Sequence, residues 1–417
     1  MKPLGPLGRL GRRALQRSMS AIRQGRLRLL EGDREWVCGE ATPEYPVSAN
    51  VFVRDPSFYR DTLLGGTVGA AESFMDGAWD SDDLVSVVRI LVRNLDAMSA
   101  MEGGAARLLA PVRGIYHALR RNTREGSRRN IAAHYDLGND FFAQFLDETM
   151  TYSCGVFPAA SSTLKEASEE KYDRICRKLA LGPRDRVLEI GGGWGGFAVH
   201  AAGKYGCRVD TTTISRRQFE FAERRVRDAG LAGRVHLHMA DYRDLAGTYD
   251  KLVSIEMIEA VGHHYLGEFF AVCGRLLGPR GAMALQAITI RDQVTPDHRE
   301  SVDFIKRYIF PGSYIPSISE MTARAAQKSD LQLCHLEDLT PHYARTLNAW
   351  RMRFQERAGE IRAMGYPDAF LRMWEFYFAY CEGSFREHYN GSVQMVFRKP
   401  LSPLAAVPPL PSGAVFA

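Results

Sequence analysis

Val187-Leu188-Glu189-Ile190-Gly191-Gly192-Gly193-Trp194-Gly195-Gly196 is the stretch on which the reading of this chain turns. A β-branched and leucine-rich strand ends in an acid, and a glycine-dense turn leads into a helix. Glycines at 191, 193 and 195 permit a tight turn and a close backbone approach by a ligand. The helix that follows presents unpaired N–H groups and the positive end of its dipole. The spacing is not the dinucleotide G-x-G-x-x-G, because the glycines fall at every second position. Glu189 stands where a carboxylate can reach a cationic amine or a ribose hydroxyl. That combination suits S-adenosylmethionine (SAM), which carries an ammonium and a ribose but no phosphate. A tight turn without a ligand is the plainer alternative, and the motif alone defines a nucleotide-type site rather than a reaction.

Outward from this turn, strands and helices alternate. The pattern predicts strands at 186–190, 207–213, 234–238, 249–255 and 281–290. Between the last two, Tyr265, Phe269, Val272, Cys273 and Leu276 recur at helical spacing. A strand at 331–337, helices at 342–362 and 367–388 and a final strand at 392–398 complete the series. Such alternation predicts an α/β, doubly wound sheet with helices on both faces. Seven strands with the last near the C-terminus match the methyltransferase version of this fold, whose seventh strand runs antiparallel. Ahead of it, residues 31–100 read as a small mixed domain with a strand at Val51-Phe52-Val53 and a helix opening at Asp82-Asp83.

Composition sets the outer limits. A chain of 417 residues with 45% apolar content can bury a large core and is expected to form two domains. No apolar run approaches the ~18–20 residues that span a bilayer. The opening Met1-Lys2-Pro3-Leu4-Gly5 has no h-region or cleavage site, so secretion is not expected. The seven cysteines are scattered and form no C-x-x-C pair, which argues against zinc or a disulfide framework and for a reducing cytoplasm. The net charge of +5 is uneven: residues 1–30 hold Lys2, Arg9, Arg12, Arg13, Arg17, Arg23, Arg26 and Arg28 and no acid. A second basic stretch holds Arg113, Arg120, Arg121, Arg124, Arg128 and Arg129 against Glu125. Leu4, Leu7, Leu10, Leu15 and Ile22 interleave the first run, with no aromatic ring to stack on bases. That pattern favours an anionic lipid surface over nucleic acid, with a solvated basic tail as the alternative.

Several further segments resemble the cyclopropane-fatty-acyl-phospholipid synthases and their mycolic-acid relatives. They are His134-Tyr135-Asp136-Leu137-Gly138-Asn139-Asp140-Phe141-Phe142, Thr151-Tyr152-Ser153-Cys154-Gly155, Thr213-Ile214-Ser215-Arg216-Arg217-Gln218 and Ser254-Ile255-Glu256-Met257-Ile258-Glu259-Ala260-Val261-Gly262. Tyr308-Ile309-Phe310-Pro311-Gly312, Tyr343-Ala344-Arg345-Thr346-Leu347 and, in the front domain, Gly69-Ala70-Ala71-Glu72-Ser73-Phe74-Met75-Asp76-Gly77-Ala78-Trp79 also fit. The resemblance spans roughly residues 50–400 in order. It implies a basic leader and small lipid-binding domain at 1–110 and a basic linker at 111–130. A SAM-dependent methyltransferase domain with a lipid-site insertion would follow at 131–399, then a disordered Pro-rich tail at 400–417.

By position, the resemblance makes Tyr152, Ser153, Glu189, Gly191, Gly193, Gly195, Thr213, Ser215 and Gln218 SAM contacts. Asp241, Tyr242 and Arg243 would flank the adenine, although the family commonly has Trp-Glu at the last two positions. Tyr242 has ordinary packing as its alternative. The implied reaction is methylene transfer to the double bond of an unsaturated phospholipid acyl chain, giving a cyclopropane. An alkene is a feeble nucleophile, so the sulfonium must be held in line with it. The resulting carbocation must be kept from water, and a base must remove a proton.

In the family that base is a bound bicarbonate, whose contacts map to Cys154, Glu259, the backbone of Ile288, and Tyr343. Glu256 competes with Glu259 on local grounds; the resemblance chooses Glu259. Cys154 has burial as a small apolar residue as its alternative, and Cys381 matches a family position for which packing or gating is favoured. Gln286 stands where some synthases have histidine; it can still donate to and accept from bicarbonate, yet it cannot take a positive charge. That departure keeps methyl- or methylene-branched products, or a non-catalytic lipid-binding relative, as alternatives. The expected partners are an anionic bilayer surface and an unsaturated acyl chain, with room for a homodimer. The expected location is the inner face of the membrane.

Overall fold

The computed structural model describes residues 4–95, 137–294 and 303–404. The basic stretch 113–129, the linker 111–130, His134-Tyr135-Asp136 and most of the Pro-rich tail lie outside the described residues. Two compact units are present. One gathers 4–95 with 303–309 and 347–389, and the other gathers 137–294 with 310–346 and 390–404.

The first unit holds a four-stranded sheet made of β1 (Arg26–Glu31), β2 (Arg34–Cys38), β3 (Ser48–Val53) and β4 (Trp79–Ser81), ordered β2-β1-β3-β4. The helix expected after Asp82-Asp83 is Leu84–Arg93, capped by the Asp83 carboxylate, which accepts from the Ser86 N–H. Residues 4–30 are neither a separate leader nor a solvated tail, which corrects the sequence reading. Pro6–Met19 is a helix that buries Gly8, Gly11, Leu15, Ser18 and Met19. A Cβ on Gly11 would lie 2.1 Å from the Tyr59 carbonyl oxygen, so two helix backbones touch here and only glycine fits. Arg26 to Glu31 then form β1 in the middle of the sheet. Charge counts missed this because the buried positions are uncharged residues interleaved with the arginines.

The helix Asp368–Arg386 completes the same unit. Arg372 donates to the carbonyls of Phe74 at 2.6 Å and Trp79 at 2.9 Å, and a Cβ on Gly383 would meet the Val88 side chain at 2.7 Å.

The second unit is built on β5 (Arg186–Ile190), β6 (Arg208–Thr213), β7 (Val235–Met239), β8 (Tyr249–Ile255), β9 (Leu277–Ile290), β10 (Gln332–Asp338) and β11 (Asn390–Arg398). Their order is β10-β11-β9-β8-β5-β6-β7. β11 runs antiparallel to both neighbours, as the sequence predicts, while β7, β6, β5, β8 and β9 are parallel. The chain runs outward from β5 to β7, then returns to β8 on the other side of β5. That reversal opens a crevice at the carboxyl ends of β5 and β8, the usual ligand position in such sheets.

Alternation of side chains sorts the strands between two cores. Leu188, Leu252, Leu285 and Met395 enter one core, and Val187, Val253, Ala284 and Val396 enter the other. By the same parity Glu189, Gln286 and Gln394 face the second core, which includes Ile175 and Cys176 of the helix Leu164–Lys178. Thr163 and Glu166 start that helix with a capping box. No helix among the described residues is long and apolar enough to cross a membrane.

Candidate active site

The glycine turn leaves β5 with positive φ at Gly191 (+88°), Gly193 (+53°) and Gly195 (+80°). The Gly191 and Gly192 N–H groups donate to the Thr212 carbonyl at 3.1 and 2.9 Å, which holds the turn against β6. A Cβ on Gly191 would meet the Met257 side chain at 2.7 Å, so the loop after β8 lies directly on the turn. A Cβ on Gly193 would meet nothing within 4 Å.

Glu189 is 2% exposed and accepts from the Thr211 hydroxyl at 2.6 Å. Burial pushes its pKa up to about 7, against Thr211 and the Lys171 charge. A desolvated acid under an open glycine turn is a site waiting for a cation, and SAM fits it on that ground.

The turn after β6 is tied by its own side chains. Thr213 donates to Gln218 at 2.9 Å, and the Ser215 oxygen accepts from the Gln218 N–H. Both Asp241 oxygens are held by the Arg243 guanidinium, at 2.8 and 2.6 Å. Tyr242 packs edge-on against Phe269 at 5.7 Å in the core, its packing alternative. Tyr152 lies in an aromatic cluster, its ring 5.4 Å from Phe142 and 6.1 Å from Phe310. Trp194 of the glycine turn joins this cluster at 5.2 Å from Phe142 and donates to Asn139 at 2.8 Å.

Three groups of the predicted base site, Cys154, Gln286 and Tyr343, converge on Glu256, while Glu259 is paired with the Ile288 backbone. Glu256 Oε1 accepts from the Cys154 backbone N–H at 2.9 Å and from Gln286 Nε2 at 2.8 Å. Its Oε2 accepts from the Tyr343 hydroxyl at 2.7 Å. Burial pushes the Glu256 pKa up, while Lys171, Tyr343, Gln286 and the Cys154 N–H favour the ionised form. Glu259 accepts instead from the Ile288 N–H at 2.6 Å, and its buried Oε2 has no hydrogen-bond partner among the described residues. Burial and the neighbouring Glu256 charge push the Glu259 carboxyl up.

Cys154 contributes its backbone, because its thiol is buried and raised well above the ordinary range. Cys381 lies on Asp368–Arg386 in the other unit, with a thiol likewise raised by burial, so neither cysteine is a ready nucleophile.

Lys171 escaped the sequence reading. It is fully buried, donates to the Ser153 hydroxyl, and faces Glu256, Glu189, Asp147 and Cys154. Burial pulls its pKa down to about 8. Lys171, Arg174 and Lys178 stand three and four apart, on the side of the helix that also buries Leu164, Ile175 and Cys176. Cations sharing a buried helix face were the available signal. Among the described residues no group of three His, Cys, Asp or Glu side chains is arranged to hold a metal ion.

A seven-stranded sheet with an acid, a glycine turn and a buried cluster at the strand ends defines a SAM-dependent methyltransferase. Residues 122–395 match the family described as mycolic acid cyclopropane synthetase. The chain is 37% identical over 399 residues to the tuberculostearic acid methyltransferase of Mycobacterium tuberculosis, covering 93% of this chain and 91% of that one. It is 34% identical over 353 residues to the cyclopropane-fatty-acyl-phospholipid synthase of Escherichia coli, covering 84% and 88%. A crystal structure of a mycolic acid cyclopropane synthase complexed with SAH and CTAB superimposes with a TM-score of 0.61 at 31% identity, covering 65% of this chain and 98% of that one. The chain belongs to the mycolic acid cyclopropane synthetase family and is an enzyme of the cyclopropane-synthase and fatty-acid-methyltransferase type.

Proposed function

We propose that this enzyme methylates the double bond of an unsaturated acyl chain in a membrane phospholipid, leaving the chain one CH2 heavier. The observation that carries it is a half-buried carboxylate, Glu256, that accepts from three donors on a loop packed against the glycine turn. A desolvated carboxylate acts strongly on a developing cation, and a closed site denies that cation water. Aromatic faces stabilise positive charge as well, and the cluster of Phe142, Phe145, Tyr152 and Phe310 offers several. Glu189 and the turn from Gly191 to Gly195 would hold SAM, with Thr213, Ser215 and Gln218 beside it. When bound, SAM supplies an electrophilic methyl group on a positively charged sulfur.

Ring closure to a cyclopropane is the reading that the sequence favours. A methylene branch is the second reading, and the similarity to a tuberculostearic acid methyltransferase over 93% of the chain supports it. Expression should make an unsaturated phospholipid about 14 mass units heavier for a ring or methylene, or about 16 for a methyl branch after reduction, and a label on the methionine methyl should appear in the added carbon. Proton NMR then separates ring protons from those of an exocyclic methylene. Unchanged lipid mass would sink both readings.

The lipid-surface reading rests on the helix Pro6–Met19. Leu7 and Leu10 are 50% and 56% exposed, and Arg9, Arg13 and Arg17 are exposed with them. Because this helix is part of a core, truncation would unfold the unit, and charge substitutions are the clean test. Replacing the three arginines by glutamine should weaken binding to anionic vesicles by roughly 100-fold at low salt, at ~1 kcal/mol per charge. Binding that ignores both salt and lipid charge would count against this surface.

A further inference from the structure

We propose that Glu256 is the base of this enzyme, built into the chain where an external bicarbonate was expected. The inference rests on the methylation reading above. The groups expected to hold bicarbonate are Cys154, Glu259, the backbone of Ile288 and Tyr343, with Gln286 beside them. Of these, the Cys154 backbone N–H, Gln286 and Tyr343 all donate to the Glu256 carboxylate. Glu259 and the Ile288 N–H, the remaining expected contacts, are bonded to each other. The residues present therefore do not fit a resident bicarbonate; an internal carboxylate holds its place.

Two independent features support this assignment. Glu256 has φ +47°, a left-handed conformation that costs a non-glycine residue about 1 kcal/mol or more. Glycine would be cheaper here, yet the side chain present is the one that fills the donor cluster.

The second feature is a chain of hydrogen bonds with a fixed direction. Lys178 donates to Gln394 Oε1 at 2.6 Å, Gln394 Nε2 donates to Gln286 Oε1 at 2.9 Å, and Gln286 Nε2 donates to Glu256 at 2.8 Å. An ammonium can only donate, so each amide is turned the same way and the end of the chain must be an acceptor. Lys178, Gln394 and Gln286 are positioning residues that keep Glu256 ionised and aimed.

The step balances without any further reagent. The methyl–sulfur bond breaks with its electron pair on sulfur as the alkene π pair forms the new carbon–carbon bond. The other alkene carbon becomes cationic. Glu256 Oε2, which accepts one hydrogen bond where Oε1 accepts two, takes a proton from the new methyl group. The freed C–H pair closes the ring or, after a hydride shift, forms the methylene double bond. The proton passes to water when the product leaves.

The test uses the full chain with SAM and vesicles of unsaturated phosphatidylglycerol. Wild-type activity should be unchanged when carbon dioxide and bicarbonate are stripped from the buffer. Glu256→Gly, which suits the local φ, should lose roughly 10²- to 10⁴-fold in kcat, the usual worth of a general base. Formate or bicarbonate should restore part of that loss in Glu256→Gly and do nothing for the wild type. Titration calorimetry supplies a readout apart from activity: Glu256→Gly should bind formate and the wild type should not. Wild-type activity that needs bicarbonate, a Glu256→Gly variant fully active without added anion, or bicarbonate binding to the wild type would overturn the proposal. A wild type with no lipid product refutes the methylation reading instead, and the calorimetry still decides whether Glu256 fills the anion position.

Discussion

Gln286→Leu should lower kcat by about 100-fold or more and also destabilise the protein. Gln286 is fully buried and bridges Glu256, the Cys154 carbonyl and Gln394. Leucine has similar bulk but leaves Gln394 Nε2 without its acceptor and removes one of the three donors to Glu256. Each stranded buried group costs about 1–3 kcal/mol, enough to lower Tm by several degrees. Gln286→His should keep most activity, because a neutral imidazole offers one donor toward Glu256 and one acceptor toward Gln394. Product formation and thermal unfolding of the two variants, measured side by side, check this. A Gln286→Leu enzyme with wild-type kcat would show that the chain from Lys178 does not matter to the chemistry.

Glu189→Gln should weaken SAM binding by roughly 10- to 100-fold at pH 8, the worth of a charge-assisted hydrogen bond. In the wild type the Glu189 carboxyl is pushed up to about 7, and a bound cation favours its ionised form. Binding therefore releases a proton below that pH, and affinity should climb as pH rises from 5.5 to 7. It should level off above 7 and fall past ~8, where an α-amino group loses its own charge. Calorimetry in two buffers of different ionisation enthalpy reads the proton release directly. The variant should lose the climb. Raised carboxyls also cost stability as pH rises from the ordinary carboxylate range through the raised value. Without SAM, Glu189→Gln should thus melt at a higher temperature than the wild type at pH 8 and show little difference at pH 4.5. A pH-independent affinity in the wild type would remove Glu189 from the cofactor site.

The parts of the sequence that spoke clearly were those where a short-range rule governs. β5 and β8 fall at 186–190 and 249–255 as predicted, because β-branched runs end at glycine or acid. The Asp83 cap and the antiparallel last strand were legible for the same reason. β9 begins at Leu277 rather than 281, and it runs through Gly278-Pro279.

The base site was harder to read. Glu256 and Glu259 stand three apart in a loop, and which one meets Cys154, Gln286 and Tyr343 depends on a single positive φ at Glu256. Resemblance pointed to Glu259 because it transfers positions, and it cannot show that a second acid has taken the donors. Lys171 and Lys178 lie in a helix rich in Glu and Arg that the sequence reading passed over, and only the packing shows them buried. The segmented first unit was illegible in principle, because no local pattern announces that residues 347–389 complete a fold begun at residue 4.

That segmentation has a consequence during synthesis. The sheet of β1 to β4 and the helix Leu84–Arg93 leave the ribosome about 275 residues before Asp368–Arg386, which packs against them. At ~5–20 residues per second the wait is roughly 15 to 55 seconds. Throughout that interval Val88 and the carbonyls of Phe74 and Trp79 lack their later partners. The nascent amino-terminal segment is then a client for chaperones; in the second unit strands β5 to β9 emerge within about 105 residues of one another, but β11, which pairs with β9, follows Asp368–Arg386 and completes that sheet last.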